Sequence, residues 1–353
     1  MDSATLNEAY DRFSGTGPEW GEDQLTNHGP MAAEVLVRRG HADDVTRWVD
    51  FYIRRLDDLP ASSSRIDGGE WREALGNGRI GDWTAFFARE VGQRPWREAL
   101  ATWWPRLLPG IVAGATHGVI RTGHAVRALL AGDQSAAAVT ELGRGLAFWA
   151  ARALAVPAAA EPSGRLAAAA ALESVPRIPD QSGNVAARFG QLPGLPGWTG
   201  SLAALRAAAN PDEARELLAG LVDAASVRYL TEGHASPVLL VHTATAPNAV
   251  LHTLPALPRE MWAASLSAVW AATAAITSTY APARPTPRDE LPAAPPPGAT
   301  VVADVVDRAA AHGDEHVIKF TDTAAEVYER TGNVDALAAA IRITHLIDAP
   351  RQA

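Results

Sequence analysis

Residues 110–130 read "GIVAGATHGVIRTGHAVRALL". Apolar side chains recur through this stretch at helical spacing, so it predicts a helix with one buried face that carries His117 and, seven residues on, His124. The same period continues on both sides. It runs through "PMAAEVLVRRG" (30–40) and "DDVTRWVDFYIRRL" (43–56), two helices separated by Gly40 and His41. It returns in "GDWTAFFAREV" (81–91), "PWREALATWWPRLL" (95–108), "AVTELGRGLAFWAARAL" (138–154), "NPDEARELLAGLVDAAS" (210–226) and "PREMWAASLSAVWAATAAI" (258–276). Alanine runs such as "RLAAAAALE" reinforce it, because alanine loses no side-chain entropy in a helix. Strand-like alternation is scarce; "SPVLLVHTAT" (236–245) reads equally as a strand or as buried helix. The expected fold is all-α, a single large multi-helix domain over residues 1–353.

Two stretches interrupt the pattern, "VPRIPDQSGNVAARFGQLPGLPGW" (175–198) and the Pro-rich "APARPTPRDELPAAPPPG" (281–298). Either is a candidate boundary, and the second is expected to be a surface loop before the C-terminal helices. Those are "ATVVADVVDRAAAH", "DEHVIKFTDTAAEVYERTG" and "VDALAAAIRITHL".

Composition narrows the chemistry. The chain has 353 residues, 40 acidic against 31 basic, for a net charge of −9, which argues against nucleic acid or an anionic membrane as a partner. There is no cysteine, so thiolate nucleophiles, thiolate metal sites and disulfides are excluded and any metal must sit on nitrogen and oxygen. The polar, acidic start "MDSATLNEAYDRF" lacks a signal region, and no apolar run reaches the length of a membrane span, so the expected location is the cytoplasm.

Residues 76–81, Gly-Asn-Gly-Arg-Ile-Gly, match the dinucleotide fingerprint letter for letter. That fingerprint works only as a turn from a buried strand into a helix, and here it follows the polar helical stretch "GGEWREAL". A Gly-rich connection between helices, with Asp82 as N-cap, explains it better.

Ten histidines remain. His41 sits in an inter-helix turn, His312 at a helix end and His345 near the end of the chain, each an ordinary setting. His28, His117, His242 and His316 lie in apolar or glycine-rich surroundings where an imidazole is buried or lines a pocket. Each alone reads as a hydrogen-bonded core residue; together, from separate segments, they suggest a metal. His316 stands three residues before Lys319, on one helix face. Lys319 is the only lysine, since the other thirty basic residues are arginine. A buried amine loses proton affinity and, when neutral, can add carbon dioxide to become a carbamate, an anionic oxygen ligand; arginine cannot. Trp103 and Trp104 read as core or as pocket wall, and His124 as pocket wall.

Taken jointly, "NHGPMAAEVLVRRG", "GDWTAFFAREV" with "RPWREALATWWPRLLPG", "GATHGVIRTGHAVRAL", "PVLLVHTATAPNAV" and "DEHVIKFTD" resemble the questin oxidase-like family, helical proteins associated with oxidative ring cleavage of anthraquinones and related aromatic polyketides. The resemblance covers most of the chain. It implies a mononuclear non-haem Fe(2+) site in which His28, His117, His242 and His316 bind the metal with carboxylated Lys319, leaving an octahedral ion one position for O2. The implied partners are an aromatic substrate and O2; NADPH or another reductant is described for some members and has no motif here. Two other readings stay open: a non-catalytic helical protein binding a polycyclic aromatic ligand, and a hydrolase whose carbamate bridges two metals. The last would want additional Asp ligands in the same motifs, and none is evident.

Overall fold

The computed structural model describes residues 2–350 other than Pro292 and Pro297. Among them helices dominate, and the strands are the two-residue antiparallel pair Glu19–Trp20 and Leu25–Thr26, so the fold is all-α. The stretch left open between strand and helix, 236–245, is helical: a turn at Pro237–Leu240 runs into the helix His242–Thr253. No helix among the described residues is long and apolar enough to cross a membrane.

The chain divides into two compact units. One holds residues up to 155 together with His252–Met261; the other holds Val156–Leu251 and the residues from Trp262 on. Both irregular stretches, 175–198 and 281–298, therefore lie inside the second unit and neither is where the chain divides. The Pro-rich stretch is irregular and mostly exposed where it is described; Pro292 and Pro297 within it lie outside the described residues.

Numbering the helices of ten residues or more in chain order, the first unit contains α1 (Ser3–Arg12), α2 (Gly29–Arg38), α3 (Ala42–Tyr52), α4 (Ile80–Gln93), α5 (Trp96–Leu107), α6 (His117–Leu130) and α7 (Ala136–Ala151). Helix α7 packs against both α4 and α6. The approach to α6 is close because Gly118 faces Trp149: a Cβ there would stand 2.7 Å from the Trp149 Cα, inside van der Waals contact. Trp71, Trp83, Phe86, Phe87 and Trp103 form a cluster of mostly edge-to-face rings, and Trp104 packs edge-on against Trp149. Both tryptophans of the pair 103–104 are thus core; the Trp103 indole donates to a Glu90 carboxylate oxygen at 2.8 Å.

Two sequence readings are corrected in this unit. Residues 110–116 are not α-helical, Gly110 closing a 3-10 turn, and α6 begins only at His117. Gly114, Ala115 and Thr116 take φ of 52°, 54° and 75°, a left-handed run that no α-helix can contain. Asp82 is not an N-cap either. Helix α4 starts two residues earlier, and the Asp82 carboxylate accepts instead from the Ser63 and Ser64 amides at 2.7 and 2.9 Å and from Arg79 Nε at 2.8 Å. It ties the serine loop at 62–64 to the start of α4.

The second unit contains α8 (Pro211–Glu232), α9 (His242–Thr253), α10 (Trp262–Tyr280), α11 (Val301–His312), α12 (Glu315–Thr331) and α13 (Val334–Leu346), with the last two residues of α9 belonging to the first unit. Helix α8 is its centre: it packs against α10, α12 and α13, while α12 and α13 pair with each other. Asn210 caps α8 through its side-chain oxygen, with Pro211 in the first turn, the arrangement the sequence "NPDEA" favours.

Candidate functional site

In the first unit His28 and His117 meet, their ring centroids 4.4 Å apart and both side chains buried. Each stands at the start of a helix. His28 is the residue before α2, and its backbone amide donates to the Tyr52 hydroxyl at 2.8 Å. The preceding Asn27, fully buried, accepts from the Gly29 amide at 2.9 Å and donates to the Gly17 carbonyl at 2.9 Å. "NHGPM" is therefore a fixed corner: asparagine pins the loop, glycine leaves room for the Phe13 ring, and proline starts the helix.

His117 owes its place to the left-handed run. A β-branched residue such as Thr116 at positive φ is held there only by surrounding structure, at a cost on the order of 1–3 kcal/mol. The turn brings the Gly114 carbonyl under the His117 ring, where it meets Nδ1. With Nδ1 as donor, Nε2 is the basic nitrogen, the tautomer a metal-binding imidazole adopts when its other nitrogen is tied to a carbonyl.

Behind this pair, Glu34 of α2 is fully buried and ion-paired to Arg127 of α6, with Arg127 Nε at 2.9 Å, while the His124 Nδ1 lies 2.8 Å from its other oxygen. Burial pushes the Glu34 carboxyl up, but the Arg127 charge and the His124 hydrogen bond outweigh it and hold it at about 2. His124 is thus engaged in an ion cluster that joins α2 to α6 rather than lining a wall.

In the second unit His316 and Lys319 lie one turn apart on α12, Lys319 only 2% exposed. Burial pushes the Lys319 amine down to about 8, against Glu315 and Asp314, which favour the charged form. His242, 1% exposed, is the first residue of α9. Helix α9 is tied to α12 through Asn248, which donates to Glu326 at 2.7 Å and to the Thr323 hydroxyl at 3.3 Å.

Two carboxylates accompany the His316 motif. Ligand-type atoms of Asp314, Glu315 and His316 lie within 4.8 Å of one another. Asp314 is the N-cap of α12: its carboxylate accepts from the His316 amide at 2.8 Å and the Val317 amide at 3.1 Å. Burial raises the Asp314 carboxyl, and its bonds to His316 more than offset this, leaving it below its ordinary value. Aspartate directly before a helical run was the available signal. Three other histidines are in ordinary settings: His41 pairs with Asp44, His312 ends α11 with its ring on the Ile347 carbonyl, and His345 is exposed.

In the first unit the paired donors are two buried imidazoles, which suit a divalent transition metal better than Mg²⁺ or Ca²⁺; in the second, His316 stands with the Asp314 and Glu315 carboxylates. No family model matches the chain, and comparison with curated proteins returns no match.

Proposed function

We propose that the chain is a questin oxidase-like oxygenase in which His28, His117, His242, His316 and carboxylated Lys319 hold one Fe(2+), acting in the cytoplasm on an anthraquinone or related aromatic polyketide with O2 as co-substrate. The observation that carries this reading is Lys319. The only lysine of an arginine-rich chain is buried beside a histidine with its amine pulled down to about 8, the setting in which a neutral amine can take up carbon dioxide. His28, His117 and His242 are buried too, and the His316 side chain is 12% exposed.

Ferrous iron, when bound, would supply the redox chemistry with O2 that side chains lack and that oxidative ring cleavage, formally of Baeyer–Villiger type, requires. The residues around it do the rest. His117 is held in one tautomer by the Gly114 carbonyl, so a ligand nitrogen is ready without a proton first being displaced. Lys319 is only 2% exposed, which limits the water that would compete for the site.

Untagged protein purified without oxygen is expected to contain about one iron per chain, and metal analysis decides it. Metal-free protein that still binds polycyclic aromatics would instead favour the non-catalytic binding protein. His117→Ala should lower iron content to near background while leaving the helical circular dichroism intact, because α6 and α7 are held together by many other contacts. Full metal and full oxygen consumption in that variant would remove His117 from the ligand set.

A further inference from the structure

The second unit carries an open cleft of about 720 Å³ between α8 and the first residues after α10. This is within the range of small-molecule sites. Its apolar wall is made by Leu172, Val227, Pro282 and Pro285. On its floor Arg228 donates through Nε to a Glu232 oxygen at 2.7 Å, one turn along α8. That bond uses one of the guanidinium's five N–H donors, and the side chain is 26% exposed, so the Nη groups can serve an acceptor in the cleft.

The surrounding charge selects the ligand. Three carboxylates, Glu173, Asp223 and Glu232, line the cleft; Asp223 is paired with Arg330 and Glu232 with Arg228, which leaves a balance of one negative charge and disfavours a phosphate or a polyanion. A planar neutral molecule bearing both hydroxyls and carbonyls fits: carbonyl oxygen toward Arg228, hydroxyl toward Glu232, ring faces over Leu172, Val227 and the prolines. A smaller space deeper in the unit shares Leu172, Arg228 and Glu232 with the cleft and reaches Thr243, the residue after His242.

We propose that this cleft is where the protein takes up a hydroxylated polycyclic aromatic molecule, with the Arg228–Glu232 pair reading its carbonyl and hydroxyl edge. The choice of aromatic rests on the oxygenase reading above; the cleft itself does not depend on iron.

Gly220 gives a clean test. It lines the cleft, and a Cβ added there meets no atom within 4 Å, so a large side chain would fill the cleft without disturbing the helix. Wild type, Gly220→Trp and Arg228→Gln would be titrated with a trihydroxyanthraquinone by calorimetry, with iron content and thermal midpoint measured on each. Gly220→Trp should bind at least about tenfold more weakly with midpoint and iron unchanged, and Arg228→Gln should lose on the order of tenfold, the effect of one charge-assisted hydrogen bond. Wild-type affinity in Gly220→Trp, or no binding by wild type, would overturn the cleft assignment. Iron-free wild type whose binding is still weakened by Gly220→Trp would leave the cleft standing and remove the oxygenase.

Discussion

Lys319→Arg is expected to abolish metal binding and oxygen consumption, although at an exposed position the exchange would be among the mildest available. The position is 2% exposed, and the neighbouring carboxylates do not offset burial enough to keep the amine at its ordinary proton affinity. A lysine meets that environment by giving up its proton. Arginine stays protonated at any accessible pH, cannot form a carbamate, and would set a fixed positive charge beside a dication in a water-poor site, an arrangement costing several kcal/mol. Lys319→Met separates the two causes, because it keeps length and removes charge. If the carbamate is the ligand, Met at this position should preserve the fold and still lose the metal, and added bicarbonate should raise iron content in wild type alone. Iron content and O2 uptake are the measurements. Unchanged iron in either variant returns Lys319 to a structural role.

The helices were readable because their apolar period survives in a sequence rich in alanine and poor in β-branched alternation. What could not be read was decided by partners distant in the chain. Residues 110–116 have helical composition, yet Gly110 packs against Ala153 and Gly114 against Phe148, and these contacts select a left-handed turn over another turn of helix. Asp82 carries the mark of a cap, but the serines that claim its carboxylate come eighteen to twenty residues earlier. Among the candidate ligands, local setting was enough to mark His28, His117, His242 and Lys319 as buried, and His316 is half-buried. It was not enough to reveal what orients them. The Gly114 carbonyl under His117 follows from backbone angles, and the Asp314 carboxylate is drawn in as the cap of α12. Glu34 was hidden most completely: nothing in "MAAEVLVRRG" points to an arginine ninety-three residues away.

That hidden carboxylate gives the second large effect. Glu34→Ala should destabilise the protein by about 3–5 kcal/mol, since it leaves the Arg127 guanidinium buried without its carboxylate. Glu34→Gln keeps the shape and removes the charge, so it isolates the pH dependence. The folded-state pKa lies near 2, below the ordinary 4.5, so the carboxylate's contribution is fully present above about pH 4.5 and drains away as pH falls toward 2. The size of that contribution is on the order of 3 kcal/mol. The groups that set it are Arg127 and His124 on α6; on α1, buried Tyr10 feels the Glu34 charge and has its hydroxyl pushed further up. Urea unfolding between pH 3 and 7 should therefore show wild type losing stability on the acid side more steeply than Glu34→Gln. Parallel acid limbs would mean that the Glu34 ion pair contributes no net stability. The same latch joins the helix that follows His28 to the helix that His117 begins, six residues along α2 and seven to ten along α6, about 9–15 Å from the two rings. Glu34→Gln should then weaken binding of a spectroscopic probe such as Co(II) at neutral pH, where the protein remains folded, and an unaltered Co(II) titration would confine Glu34 to stability.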